Sequence, residues 1–335
     1  MVRDASGLPV SSTKLLDTIG ETPLVALEHL FAGKSAKVFA KLEYFNPTGS
    51  IKDRIVRHII EDAERTGLLQ PGGCIVENTS GNTGAAIAMV AAIKGYRAVL
   101  TMPDKVSREK QAALIALGAE IVVCPTNAMP GTAEHYVQRA RDIAAATANS
   151  FMLNQYDNPK NAEAHYLTTG PEIWRQMDGK IDYFVACGST GGTVSGVGRY
   201  LKEQNPHIKV LMPDPIGSIY YTYFTTGEID ESEIASYQVE GIGEDHIAQC
   251  MDFSVVDEMM QFNDDDAFGL TRQLAACEGI LAGGSSGGNL FGCMKLAERL
   301  EQPANIVTVF PDTGLKYLSS IFQPPIDESR TRSSV

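Results

Sequence analysis

Ile181-Asp182-Tyr183-Phe184-Val185-Ala186-Cys187-Gly188-Ser189-Thr190-Gly191-Gly192-Thr193 passes from a short apolar run into a turn of small and hydroxyl residues, and a helical window follows over 191–203. The apolar run reads as a strand buried on both faces, because it lacks the alternation of a half-solvated strand. The same sequence grammar recurs on both sides of it. Strand-like runs fall at 38–42, 74–76, 97–101, 120–124, 151–153, 208–211 and 305–310, and helical windows at 84–94, 107–117, 133–147, 161–176, 264–277 and 288–300. This alternation predicts an α/β protein with parallel sheets covered by helices. For 335 residues, two such sheets fit better than one. A smaller unit is expected at 45–149, and a larger one from 1–44 together with 150–335.

Composition narrows the function classes. The 28 basic against 41 acidic residues leave a formal charge of −13, which argues against binding a phosphate backbone. No apolar stretch approaches the length of a spanning helix, and Met1-Val2-Arg3-Asp4 lacks the apolar core of a signal peptide. Cys74, Cys124, Cys187, Cys250, Cys277 and Cys293 form no C-x-x-C pair and read as reduced core thiols of a cytoplasmic protein. Asp264-Asp265-Asp266 opens a helical window, where three acids suit the helix dipole better than a metal, and no metal site is expected. The aromatic run 219–224 reads as a loop at a substrate entrance or a subunit contact, and the polar tail 327–335 as frayed.

Four loops carry candidate chemistry. Asn46-Pro47-Thr48-Gly49-Ser50-Ile51-Lys52 leads into a helix whose apolar face is Ile51, Ile55, Val56, Ile59 and Ile60. An amine pressed against such a face is desolvated, which favours the neutral nucleophile of a Schiff base, although taken alone Lys52 reads as a surface residue. Glu77-Asn78-Thr79-Ser80-Gly81-Asn82-Thr83-Gly84 offers N–H groups and hydroxyls at a helix start, a natural carboxylate trap. Gly188 to Thr193 supplies the same ingredients for a phosphate. The fourth, Gly283-Gly284-Ser285-Ser286-Gly287-Gly288, follows the apolar 279–282. Any one of these could be a plain tight turn; four in one chain of this topology point to a ligand.

Rival motifs fail on their own requirements. No loop has the G-x-G-x-x-G spacing of a dinucleotide site. Gly33-Lys34-Ser35 lacks the earlier glycine of a P-loop, where Glu28 stands. Gly284-Ser285-Ser286-Gly287-Gly288 matches the nucleophile elbow, yet all six histidines precede it, so the serine-hydrolase order is absent.

From about Thr13 to Phe322 the chain resembles the β-family of pyridoxal-phosphate enzymes, which includes cysteine synthase and cystathionine β-synthase. The Lys52, Thr79–Gly84, Ser189–Thr193 and Ser285 segments stand in that family's order and spacing. The resemblance implies fold type II, the fold of the tryptophan synthase β-subunit, with pyridoxal 5′-phosphate bound through an imine to Lys52. It implies that Asn82 bonds the ring hydroxyl, that Ser189, Thr190, Gly191, Gly192 and Thr193 bind the phosphate, and that Ser285 faces the ring nitrogen. Thr79, Ser80, Gly81, Thr83 and Gln155 would hold the substrate carboxylate, on which the smaller domain, bearing the Thr79–Thr83 loop, would close. A serine at the ring nitrogen leaves the ring a moderate electron sink, suited to losing a β-substituent. Lys52 would then take the α-proton.

Val239-Glu240-Gly241-Ile242-Gly243-Glu244-Asp245 looks like the cystathionine β-synthase branch, as do Asp214-Pro215-Ile216-Gly217-Ser218 and Pro311-Asp312. Glu240 could assist departure of hydroxide from serine, or be a mere capping acid. Departures stand at Asn78, Ser189, Pro213 and Glu244, the last where animal cystathionine β-synthases have tyrosine. The expected activity is therefore β-replacement on serine or an activated serine, condensing serine with homocysteine to cystathionine. The alternatives are an O-acetylserine sulfhydrylase, a relative using an amine nucleophile, a dehydratase, or a silent binding subunit, against which Lys52 argues. Partners would be small amino-acid and thiol substrates and a second copy in a homodimer. Neither haem nor nucleotide regulation is expected.

Overall fold

The computed structural model describes residues 14–79 and 81–323, together with the backbone of 2–3 and 9–10. Ser80 and the tail 327–335 lie outside these residues. The chain divides into unit 1, Met1–Thr22 with Phe45–Asn154, and unit 2, Pro23–Tyr44 with Gln155–Val335.

In chain order, β1 (Val2–Arg3) and β2 (Pro9–Val10) form a short antiparallel pair, and β3 (Leu24–Ala26) and β4 (Ala36–Leu42) belong to unit 2. Unit 1 resumes with α1 (Lys52–Thr66), β5 (Cys74–Asn78), α2 (Asn82–Lys94) and β6 (Arg97–Pro103). It closes with α3 (Arg108–Ala116), β7 (Glu120–Cys124), α4 (Tyr136–Ala146) and β8 (Ser150–Met152). Unit 2 continues with α5 (Lys160–Leu167), α6 (Thr169–Gln176), β9 (Tyr183–Val185), α7 (Gly192–Gln204), β10 (Lys209–Pro215) and α8 (Tyr220–Thr226). Its last elements are β11 (Glu258–Phe262), α9 (Asp264–Glu278), α10 (Gly284–Arg299) and β12 (Ala304–Phe310).

The unit 1 sheet has the order β7-β6-β5-β8, parallel throughout. The unit 2 sheet runs β11-β10-β9-β12-β4-β3, parallel except where β3 meets β4. The chain is thus an α/β protein of two sheets. β6, β10 and β12 are buried along most of their length, as strands covered on both faces must be. Val38, Val185, Leu211, Leu290, Ile306 and Phe310 fill the unit 2 core, and Cys74, Val76, Val99 and Ala140 pack in unit 1. Five of the six free thiols are buried or half-buried, and Cys277 is exposed. Among the described residues, no helix is long and apolar enough to cross a membrane.

The structure departs from the sequence reading in four places. Residues up to Thr22, expected with the larger unit, go with unit 1, because α1 holds them: Arg57 Nη1 donates to Leu16 O at 2.7 Å and Arg54 Nη2 to Thr22 Oγ1 at 3.3 Å. Residues 150–154 also belong to unit 1, since β8 pairs with β5. The window 161–176 is two helices, α5 and α6, for Pro171 has no N–H to give Leu167 O. The aromatic run is the helix α8, whose Tyr220 is buried edge-on against Phe253.

Candidate active site

In unit 2, β9 ends at Val185 and α7 begins at Gly192, and the intervening turn carries most of the phosphate candidates. Gly191 sits at φ +80°, which L side chains avoid, and a Cβ there would lie 2.5 Å from Met251 Cα. A Cβ on Gly192 would collide with the Asn161 amide. Ser195 N–H makes the first helical bond, to Gly191 O at 2.9 Å, so the N–H groups of the preceding turn have no intrahelical acceptor. Buried α5 side chains hold the two threonine hydroxyls. Asn161 Nδ2 donates to Thr190 Oγ1 at 2.9 Å and to Gln155 O at 2.7 Å. His165 Nε2 lies 3.2 Å from Thr193 Oγ1, while its Nδ1 lies 2.9 Å from Thr169 Oγ1. A thirteen-residue helix start with fixed hydroxyls and close backbone suits an anionic phosphate.

Ser189 points to an acid. Its Oγ donates to Glu244 Oε1 at 2.5 Å, and Tyr220 Oη donates to Ser189 O at 2.6 Å. Burial pushes the Glu244 carboxyl above the usual carboxylate range, while Ser189, His246 and Tyr156 draw it down. Glu240 lies elsewhere: it is exposed and lines a small cavity with Gln238, Phe268, Gly284 and Tyr317. The acid that touches the turn is Glu244.

Ser285 is buried in the first turn of α10, which follows α9 and not a strand; before it, only Ala282 bridges to Thr313. Asn289 clamps α10 to the sheet: its Nδ2 donates to Val309 O at 2.6 Å, and its Oδ1 accepts Cys187 N–H at 2.6 Å. One side chain therefore ties the Ser285 helix to the start of the 187–193 turn. Gly287 and Gly288 serve packing, for a Cβ on either would strike Ala267 O or the Phe262 ring.

In unit 1, the half-buried Lys52 opens α1. The turn before it is locked by Asp53, fully buried, which accepts Thr48 N–H at 2.8 Å and the Thr48 hydroxyl. Lys52 N–H donates to Ser50 Oγ at 3.3 Å. At the β5–α2 turn, Thr79 and Thr83 are buried, Asn82 is half-buried and Gly81 is exposed. Thr79 N–H donates to Thr101 O at 3.1 Å, which holds this turn at the carboxyl end of the sheet.

Sequence reasoning missed Asn161, His165, Tyr220 and Asn289. Their roles depend on partners 28 to 102 residues away along the chain, which no local pattern records.

The family profile for pyridoxal-phosphate dependent enzymes matches residues 15–312. The chain is 43% identical over 307 residues to a cystathionine beta-synthase of Apis mellifera, covering 91% of this chain and 60% of that one. It therefore spans less than two thirds of the bee protein's length. It is 39% identical over 308 residues to an O-acetylserine dependent cystathionine beta-synthase of Bacillus subtilis (strain 168), covering 92% of this chain and 96% of that one. The solved O-ureido-L-serine synthase superposes with a TM-score of 0.86 at 34% identity, covering 97% of this chain and 100% of that one.

Proposed function

The chain belongs to the pyridoxal-phosphate dependent enzyme family, and we propose that it catalyses β-replacement on L-serine or an activated serine, condensing serine with homocysteine to cystathionine. The observation that carries this reading is the 188–193 turn, whose Gly191 conformation, helix N–H groups and buttressed threonine hydroxyls fit the cofactor's phosphate. When bound, pyridoxal phosphate supplies an electron sink for bond breaking at the amino acid's α-carbon.

This chain's residues would do the rest. Lys52 Nζ would hold the cofactor and take the substrate's α-proton. Asn82 would orient the ring through its hydroxyl, and Ser285 would donate a hydrogen bond at the ring nitrogen without placing a full negative charge there. Thr79, Ser80, Gly81, Thr83 and Gln155 would hold the substrate carboxylate, in keeping with N–H groups and hydroxyls at a helix start. Glu240 would give a proton to the departing hydroxide. The similarity to cystathionine beta-synthases along nine-tenths of the chain supports the choice of serine and homocysteine.

A second reading keeps the chemistry and changes the substrates. The Bacillus subtilis relative, matched over nearly its whole length, is O-acetylserine dependent, which favours an activated donor. The O-ureido-L-serine synthase neighbour favours a nitrogen-bearing nucleophile over a thiol.

The test supplies protein loaded with pyridoxal phosphate with serine or O-acetylserine as donor, and homocysteine, sulfide or an amine as acceptor, and identifies products by mass spectrometry. Cystathionine from serine is expected. Cysteine alone, from O-acetylserine and sulfide, would overturn the substrate assignment. Lys52→Ala should lose the visible absorbance of the bound cofactor and at least about a thousandfold in turnover; retained turnover would overturn the whole reading.

A further inference from the structure

We propose that Glu244 is a positioning residue for the phosphate turn, setting which way the Ser189 hydroxyl donates according to whether its own carboxyl carries a proton. This deepens the functional reading above and rests on it. Ser189 Oγ and Glu244 Oε1 are hydrogen-bonded, and both the hydroxyl and a carboxyl can donate or accept, so the position of the carboxyl's proton sets the direction of the bond. With the carboxyl ionised, Ser189 donates to it, so the hydroxyl has no proton for an anion in the turn, and a negative charge stands behind the loop. With the carboxyl protonated, its O–H donates to Ser189 Oγ and the serine hydrogen is released toward the anion. The proton comes from solvent, and no other bond changes.

The pair is held in register from both sides. Gly243 N–H donates to Gly188 O at 2.6 Å, Ile219 N–H to Glu244 O at 3.0 Å, and Glu244 N–H to Ser218 Oγ at 3.1 Å. Six titratable groups face the carboxyl or share its field. Tyr156 bonds it, His246 Nδ1 lies 3.7 Å from Oε2, and Asp245, Asp214, Tyr220 and Tyr237 complete the set. Of these, His246 alone can add positive charge. A phosphate therefore enters beside the half-buried Glu244 carboxyl, whose field Asp214 shares, and its charge holds the Glu244 proton more tightly. The carboxyl's pKa is higher with the anion bound than without it. Affinity is therefore complete below the free-state pKa and falls, by up to about tenfold per pH unit, as pH rises above it.

The test measures binding of pyridoxine 5′-phosphate, which has no aldehyde and so leaves Lys52 chemistry out, by calorimetry across the neutral pH range in buffers of different ionisation enthalpy. Wild-type protein should take up a proton on binding, with affinity declining as pH rises. Glu244→Gln, whose amide donates to Ser189 Oγ as the protonated acid does, should bind with little pH dependence beyond that of the ligand. Ser189→Ala, which removes the hydroxyl and keeps the acid, should lose the linked uptake as well. Equal uptake in wild type and Glu244→Gln, or unchanged uptake in Ser189→Ala, overturns the proposal while leaving the functional reading intact. Failure of the wild type to bind both this ligand and pyridoxal phosphate overturns the functional reading, and the proposal with it.

Discussion

Gly191 shows how much of the site a single backbone angle can decide. At φ +80° an alanine costs about 1–2 kcal/mol in conformation alone, and its methyl would also press on the Met251 backbone. Gly191→Ala should therefore weaken pyridoxal phosphate binding at least about tenfold, read by cofactor titration, while cores distant from the turn hold. Unchanged affinity would show that the turn does not form the cradle. The glycines and hydroxyls of this turn were legible as a candidate anion site, because four such turns in one chain of this topology are more than plain tight turns explain. Their supports were not. Asn161 and His165 look like ordinary polar positions in a helical window, and only the packing of α5 on α7 brings them to Thr190 and Thr193. The 239–245 segment was singled out for Glu240 as a leaving-group acid; that Glu244 bonds Ser189 was not legible. Gly241 and Gly243 both take positive φ, and Glu244, the next residue, reaches Ser189.

Among the elements, α10 corrects the reading of its own glycines. Gly283 to Gly288 look like a ligand-binding turn, yet a helix begins at Gly284 and the missing side chains admit neighbours. A Cβ on Gly284 would lie 3.0 Å from the Phe268 ring, and one on Gly292 would lie 2.5 Å from Pro213 Cγ. On Gly287 it would collide with Ala267 O and the Thr271 hydroxyl of α9. Alanine is the better helix former by about 1 kcal/mol, but overpacking two helices typically costs about 1–3 kcal/mol. Gly287→Ala should therefore destabilise unit 2 by up to about 2 kcal/mol in chemical denaturation; a stabilised variant would disprove the close α9–α10 approach. Helix α8 was illegible for a related reason. Its run of tyrosines shows no polar face, and its helicity depends on Phe253, which packs against Tyr220, Tyr223 and Phe224 from outside the local sequence. The edge strands escaped notice for different reasons: β3 is only three residues long, and β11 mixes Glu258 and Gln261 with apolar residues.

For the whole molecule, the parallel α/β class was legible because buried strands leave continuous apolar runs. The path of the chain between units was not, because it crosses after Thr22 and again after Tyr44 with no change of composition. One buried acid gives unit 2 a pH dependence that the whole fold expresses. Asp214, at the end of β10, is fully buried. It accepts Tyr221 N–H at 3.0 Å through Oδ2, while Oδ1 has no hydrogen-bond partner among the described residues. Burial raises its pKa from 3.8 to about 7, with Ser218 and Tyr221 opposing the shift and Glu244 adding to it. The folded state therefore binds a proton that the unfolded chain releases between about pH 4 and pH 7. Stability is full below that window and falls through it, by up to about 4 kcal/mol for three pH units. The single tryptophan, Trp174, lies in α6, so its fluorescence follows unit 2 and separates this transition from that of unit 1. Asp214→Asn should flatten the stability curve across the window and be the more stable protein at pH 8. A wild-type curve already flat there, or a variant less stable at high pH, would mean that Asp214 folds ionised.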